Sequence, residues 1–230
     1  METHEQAAFL LHSRPYKEHQ QLLEFLTEND GKVAAVTYVG KTNKSNKKAL
    51  LQPFTPLKVI LTGRNNLKYL KQVEPNGKSL RLVGNHLFSG FYLNELIVRL
   101  LGEHISCESL FFQYRISVEA LLNKEPIEKT LRAFEFSLLE ELGLSLDFSP
   151  VFQSQCPSFY YFDEEGFVPA LTKLSLTRYD TNHLQAIAQH ELSSPEVQYS
   201  FKLLMRQIIN QLLGNTPLHS RKLFMPKIKP

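Results

Sequence analysis

The 230-residue sequence predicts an α+β fold. A five-stranded β-barrel occupies residues 1–80, and a mainly α-helical part with a small irregular, hairpin-bearing insertion occupies 81–230. Three observations predict it. The first 75 residues or so hold five short apolar runs joined by Gly, Asn and Asp turns, the pattern of a small sandwich or a closed barrel. From Asn85 the apolar positions change to helical spacing. Residues 144–180 keep neither period.

Residues 7–14 (AAFLLHSR) form the first expected strand, which ends at Pro15, and residues 20–27 (QQLLEFLT) form the second. The intervening ENDG before Lys32 is a turn whose glycine is free to take a positive φ. Residues 33–39 make the third strand, and 57–61 and 67–73 the fourth and fifth, separated by Gly63, Arg64, Asn65 and Asn66. Five strands fit a barrel of the OB type, whose exposed face and loops commonly hold single-stranded nucleic acid.

Leu87, Phe88, Phe91, Tyr92, Ile97, Leu100 and Leu101 then recur over about four helical turns, with Gly102 as a candidate C-cap. Residues 108–122 read as a second helix. A third carries the apolar stripe Leu131, Phe134, Leu138 and Leu142, with Asn123 as its cap, Pro126 in its first turn and Gly143 at its end. Each would leave a wide apolar face in water if alone, so the three are expected to pack together. YYFDEEGFVPA reads as a hairpin with residues 163–166 at its tip, and LTKLSL as a further strand. Asn182 and Ser193 or Ser194 are candidate caps, the latter followed by Pro195 and Glu196. A last helix runs to about Leu213, and a basic, proline-rich tail follows Gly214.

With 43% hydrophobic and 21% charged residues, the composition is that of an ordinary globular protein. No apolar run approaches the roughly 18 residues of a membrane span, and the N-terminal sequence lacks the pattern of a signal peptide. Cys107 and Cys156 stand far apart and imply no disulfide framework, so the expected compartment is the cytoplasm. The net charge of +3 conceals a division along the chain. Residues 1–83 carry 13 basic against 7 acidic side chains, residues 84–180 carry 7 against 14, and residues 181–230 carry 6 against 2. Such segregation implies surfaces with different partners.

Enzymatic chemistry finds little support. Gly40-Lys41-Thr42 resembles the end of a phosphate-binding P-loop, but the position five residues before Gly40 is Ala35, inside a strand, and the sequence after Thr42 is loop-like. Cys156 has no Cys or His within seven positions, and His183 and His190 alone are too few ligands for zinc, so no metal is expected. His12 and Ser13 are neighbours on a strand and point to opposite faces.

The basic tract is the stronger signal. Lys41, Lys44, Lys47 and Lys48, with Arg14, Lys32, Lys58, Arg64 and Lys68 on nearby strands or loops, would give the barrel one cationic side able to release counterions from a polyanion. A merely solvating loop of lysines accounts for the tract equally well. Tyr16, Tyr38, Phe54 and Tyr69 could stack on bases, although Phe54 is also an ordinary core residue and the two tyrosines Tyr38 and Tyr69 fit either role.

Several segments together resemble the bacterial RecO family, recombination mediators of the RecF pathway, and most of all its proteobacterial branch. They are FLLHSRPYKE at 9–18, LLEFLTENDGKV at 22–33, GKTNKSNKKALLQPFTPL at 40–57, FSGFYLNELIVRLL at 88–101, LFFQYR at 110–115, LRAFEFSLLEELG at 131–143 and GNTPLHSRKLF at 214–224. The resemblance implies an N-terminal OB fold followed by a helical domain. It also implies binding of single- and double-stranded DNA, annealing of complementary strands, and help to RecA, usually with RecR, in displacing single-stranded DNA-binding protein. It implies no chemical step and no cofactor.

Family DNA-binding residues lie largely on the OB domain, which suits Arg14 and the lysines at 41–48. Some members carry, in the helical domain, a pocket for the acidic, Phe-ended tail of single-stranded DNA-binding protein. Arg132 is the candidate cation for it, with Arg115 second, and a plain ion pair of Arg132 with Glu128 or Glu135 is the alternative. Zinc-binding members have cysteine pairs in the segment matching 146–180, where this chain has only Cys156, so a hairpin and loop without metal are expected. The competing function is a protein-interaction scaffold whose OB-like domain binds no DNA.

Overall fold

In a computed structural model, residues 5–38 and 47–224 are described, the side chains of residues 47 and 48 excepted. The chain divides into two compact units, one running to Ile127 and resuming at Leu218, the other spanning Glu128–Pro217.

The first unit is built on five strands: β1 (Glu5–Pro15), β2 (Gln20–Thr27), β3 (Gly31–Tyr38), β4 (Pro56–Thr62) and β5 (Lys68–Pro75). They close into a barrel in the order β1-β2-β3-β5-β4, every pairing antiparallel except β3 with β5. That is the OB arrangement, and the α+β fold expected from the sequence is present. Closure depends on β1, which pairs with β4 over Glu5–Phe9 and with β2 over Ala8–Pro15, its register shifting between Leu10 and His12. Such a bulge bends a strand and lets it serve two neighbours.

Inward alternation fills the barrel with Ala8, Leu10, Leu23, Phe25, Ala35, Leu57, Val59, Leu70 and Val73. The short helix α1 (Lys47–Leu50) is followed by Leu51, which joins that core. The ENDG turn has the predicted glycine geometry, with Gly31 at φ +65. A Cβ there would lie 1.8 Å from the carbonyl oxygen of Ile105, so both conformation and space require glycine.

Helices α2 (Gly84–Leu100) and α3 (Glu108–Leu122) complete this unit. Gly90 lets α2 approach Phe54 closely, for a Cβ there would meet the ring at 2.7 Å. A buried polar chain fastens the helices to β1. Asn94 Nδ2 donates to the Leu11 carbonyl at 2.9 Å, and its Oδ1 accepts from Tyr114 OH at 2.7 Å. Burial pushes the Tyr114 phenol far above its ordinary range. Phe9, on the same strand, packs against the rings of Phe111 and Tyr114. Asn123 closes α3 as its C-cap, its N–H donating to the Glu119 carbonyl, rather than opening the next helix as the sequence pattern predicts. The chain returns to this unit at Leu218 and ends its described part in a 3-10 helix, Ser220–Phe224.

The second unit holds α4 (Ile127–Glu141), which begins at its boundary, then α5 (Ser149–Gln153), β6 (Ser158–Phe162), β7 (Gly166–Pro169), β8 (Tyr179–Asp180), α6 (Thr181–Ala188) and α7 (Pro195–Leu212). The expected hairpin is β6–β7 with Gly166 at φ +71. The expected strand at LTKLSL is not formed. Leu171, Leu174 and Leu176 are exposed, and the third strand of the sheet is β8 instead, paired with β6. Asp180, not Asn182, caps α6, its Oδ1 accepting from the N–H groups of Asn182 and His183. An ionised side chain at the positive end of the helix explains the preference. Ser194 caps α7 and Pro195 occupies its first turn. Leu139, Phe148, Phe159, Phe167, Phe201, Leu204 and Met205 belong to the core these elements share.

Candidate nucleic-acid interface

Strand register brings residues far apart in sequence into one row on the outside of the barrel. Arg14 on β1 stands opposite Leu22 on β2, Leu22 opposite Val36 on β3, and Val36 opposite Tyr69 on β5. Directly paired residues project from the same face, so these four side chains lie on the outer face of the barrel, Arg14 and Tyr69 exposed and Val36 buried between them. Four strands spaced about 4.8 Å apart make this a path of about 14 Å across the sheet. Tyr38 lies two residues beyond Val36 on the same face and is 67% exposed, and Tyr69 is 57% exposed. Large rings left in water on an otherwise folded face are what a stacking platform for bases requires.

Two loops flank the row. The β1–β2 loop holds the exposed Tyr16, with Lys17 Nζ 5.6 Å from its ring centre. The β4–β5 loop presents Arg64 to solvent. In OB folds the strand 2–3 face and these two loops are the usual contact surfaces for oligonucleotides.

The predicted cations are distributed unevenly around this surface. Arg14 and Arg64 are exposed at it. Lys68 is half-buried and donates to the Gly63 carbonyl at 3.2 Å, steadying the β4–β5 loop. Lys58 lies four positions along β4 from the Tyr69 partner Thr62, is paired across the strands with Ala7 and Glu74, and forms an ion pair with Glu5 at 3.0 Å. Lys32 departs from the sequence expectation. It is buried, and its ammonium donates to the Val98 carbonyl at 2.8 Å, tying β3 to the C-terminal part of α2. Burial lowers its pKa, with Glu24 and Glu103 opposing that shift. A lysine held there is not presented to a strand outside. Lys41 and Lys44 lie outside the described residues, as does the Gly40-Lys41-Thr42 segment, while Lys47 and Lys48 open α1 on the β3–β4 connection.

Phe54 belongs to the core, not to the stacking surface. It is buried and meets the ring of Phe91 at 5.4 Å. Sequence reasoning missed Lys17 and Lys71, both exposed. Lys71 follows Tyr69 by two residues, a spacing that strand alternation could have flagged.

The two arginines expected at a peptide pocket lie in different units. Arg115, on α3, is exposed and stacks on Phe112 at 4.9 Å. Arg132, on α4, is buried and bound to Glu135, Nη2 to Oε1 at 2.6 Å, with Nη1 3.4 Å from the Lys202 carbonyl. Glu128 pairs instead with Lys202 at 2.7 Å. Among the described residues no group of three or more His, Cys, Asp or Glu could hold a metal ion, and no helix is long and apolar enough to cross a membrane.

The profile described as Recombination protein O N terminal matches residues 1–77, and that described as Recombination protein O C terminal matches residues 82–222. The chain belongs to the RecO family. It is 42% identical over 228 residues to the DNA repair protein RecO of Cellvibrio japonicus (strain Ueda107), covering 96% of each chain. To the DNA repair protein RecO of Proteus mirabilis (strain HI4320) it is 37% identical, covering 95% of this chain and 91% of the relative. To that of Coxiella burnetii (strain CbuG_Q212) it is 38% identical, covering 94% and 95%. The RecO profiles meet between residues 77 and 82, after β5 and before α2.

Proposed function

We propose that this RecO-family chain is a non-enzymatic mediator of recombination in DNA repair, working in the cytoplasm. It binds single- and double-stranded DNA, anneals complementary strands, and with RecR helps load RecA onto DNA covered by single-stranded DNA-binding protein. Family membership and the names of the relatives support the repair role.

The observation that carries the DNA-binding part is the transverse row Arg14–Leu22–Val36–Tyr69 with Tyr38 beside it. A strand crossing that row sets phosphates on Arg14, Arg64 and the lysines at 41, 44, 47 and 48, and bases on Tyr38 and Tyr69. Lys68 supports the loop, and Lys58 adds charge at a distance. Annealing follows physically, because neutralised phosphates allow a second strand to approach while bases not stacked on protein remain available for pairing. Arg132 serves the acidic tail of single-stranded DNA-binding protein, the tail carboxylates competing with Glu135 for the guanidinium.

The experiment is a titration of a labelled single-stranded oligonucleotide at low salt. Wild-type protein binds, and Arg14→Ala/Tyr69→Ala binds at least about ten-fold more weakly with an unchanged melting temperature. Failure of wild-type protein to bind would favour an interaction scaffold.

A further inference from the structure

At its β1 end the row borders a cavity of about 490 Å³, inside the range of about 300–1,000 Å³ usual for small-ligand sites. Its walls are apolar: Leu11 on β1, Phe91 and Val98 on α2, and Leu223 on the 3-10 helix. Its rim carries Arg14 from the barrel, exposed to solvent, and Arg99 from α2, which pairs with Glu95 at 3.7 Å, with His12 and His219 beside them. Two acids also line it. Glu24 is engaged by His12 at 3.3 Å. Glu95 accepts from the His219 N–H at 2.8 Å and from the Ser220 N–H and hydroxyl at 2.7 and 2.6 Å. Asn94 lines the cavity too, but its amide serves the Leu11 carbonyl and Tyr114, so it is not set to read a hydrogen-bonding edge.

We propose that this slot receives one unstacked nucleobase of a single strand lying along the row, with a flanking phosphate held by Arg14. The proposal rests on the strand-binding reading above. Arg14 belongs to both the row and the slot, so a strand with a phosphate on Arg14 brings the adjoining base to the slot's mouth. A base offers a flat apolar face beside an anion, and the slot offers apolar walls beside the Arg14 guanidinium. Every base has such a face, so capture is tolerant of sequence. A duplex presents no base without unpairing, so the slot favours single strands.

The test moves a single abasic site along a fixed-length oligothymidylate and compares wild-type protein with Val98→Trp and Leu223→Trp, each of which fills the slot. Wild-type affinity should fall about ten-fold when the abasic site reaches one register. Both variants should bind the intact strand about ten-fold more weakly and lose that register dependence. Their duplex affinity, salt slope and melting temperature should stay those of wild type. The proposal is overturned if wild type shows no register dependence, if the variants bind like wild type, or if they lose strand and duplex equally. It is overturned as well if the variants keep strand affinity and lose only an acidic, Phe-ended peptide. Wild-type protein that binds no strand at low salt overturns both this proposal and the reading beneath it, whereas loss of register dependence alone leaves that reading standing.

Discussion

Tyr69 stands directly opposite Val36 across the parallel pairing of β5 with β3, the one parallel pairing in the barrel. That register sets an exposed ring beside a buried aliphatic side chain, on the same row as Arg14, and so joins an aromatic surface to a cation.

Tyr69 and Phe54 therefore separate function from stability. Tyr69→Ala should weaken single-strand binding by about 1–3 kcal/mol, the worth of one base stack, without lowering stability. Phe54→Ala should lower stability by about 3–5 kcal/mol, because it empties a buried site against Phe91. Oligonucleotide titration and urea unfolding of both variants check this, and a stable Phe54→Ala protein would mean the ring is not core.

Lys32 and Arg14 are both cations on barrel strands, yet only one faces outward. Lys32→Met should leave the salt dependence of DNA binding unchanged, while leaving the Val98 carbonyl without its donor should lower stability by about 1–3 kcal/mol. A flatter salt slope in Lys32→Met would return this lysine to the DNA surface.

Much of this organisation was legible in the chain. Five apolar runs bounded by turn residues marked the barrel strands to within two residues, and helices α2 and α3 followed from their period. The glycine of ENDG announced its positive φ, although only the structure explains the further demand made by Ile105. Within residues 144–180 the β6–β7 hairpin was legible from its turn, but α5 and β8 were not, being too short to display a period: five residues and two. Of the site, the tyrosines and Arg14 could be named from the sequence. The fate of Lys32 could not, since its partner is a backbone carbonyl 66 residues away. The slot was equally hidden, being assembled from β1, α2 and a segment that returns after residue 217.

Arg132 and Glu135 form a buried pair, and removing one member takes from the other the charge it is paired with. Arg132→Ala should cost about 3–5 kcal/mol of stability in the second unit, and Arg132→Met/Glu135→Leu should recover most of it. Chemical denaturation of the two variants tests this. The double variant then gives a folded protein in which binding of an acidic, Phe-ended peptide can be measured, and undiminished peptide affinity there would remove Arg132 from the tail site.

Glu95 holds the returning C-terminal segment through His219 and Ser220. Burial opposes its ionisation, but the hydrogen bonds from Ser220 and His219 outweigh that, and its pKa falls below the usual 4.5. A carboxylate whose folded pKa is depressed contributes stability above its unfolded pKa and loses it as pH falls through the folded value. Wild-type protein should thus lose this contribution, of order 2 kcal/mol, only below about pH 4.5. Glu95→Gln should lack it at neutral pH and show a smaller loss on acidification. Melting curves between pH 3 and pH 7 for both proteins check the sign, and parallel pH profiles would show that Glu95 does not anchor the segment.

The barrel's outer face and the lysines at 41, 44, 47 and 48 are proposed to hold the phosphates of a single strand. The most direct test of that proposal is the slope of log affinity against log salt for a single-stranded oligonucleotide, measured for wild type, Arg14→Ala, and the combined replacement of Lys41, Lys44, Lys47 and Lys48 by Ala. The slope should flatten by up to about 0.7 for each phosphate no longer neutralised, which is one phosphate in the first variant and as many as four in the second. Wild-type and variant proteins with the same slope, or a wild type without affinity at low salt, would contradict it.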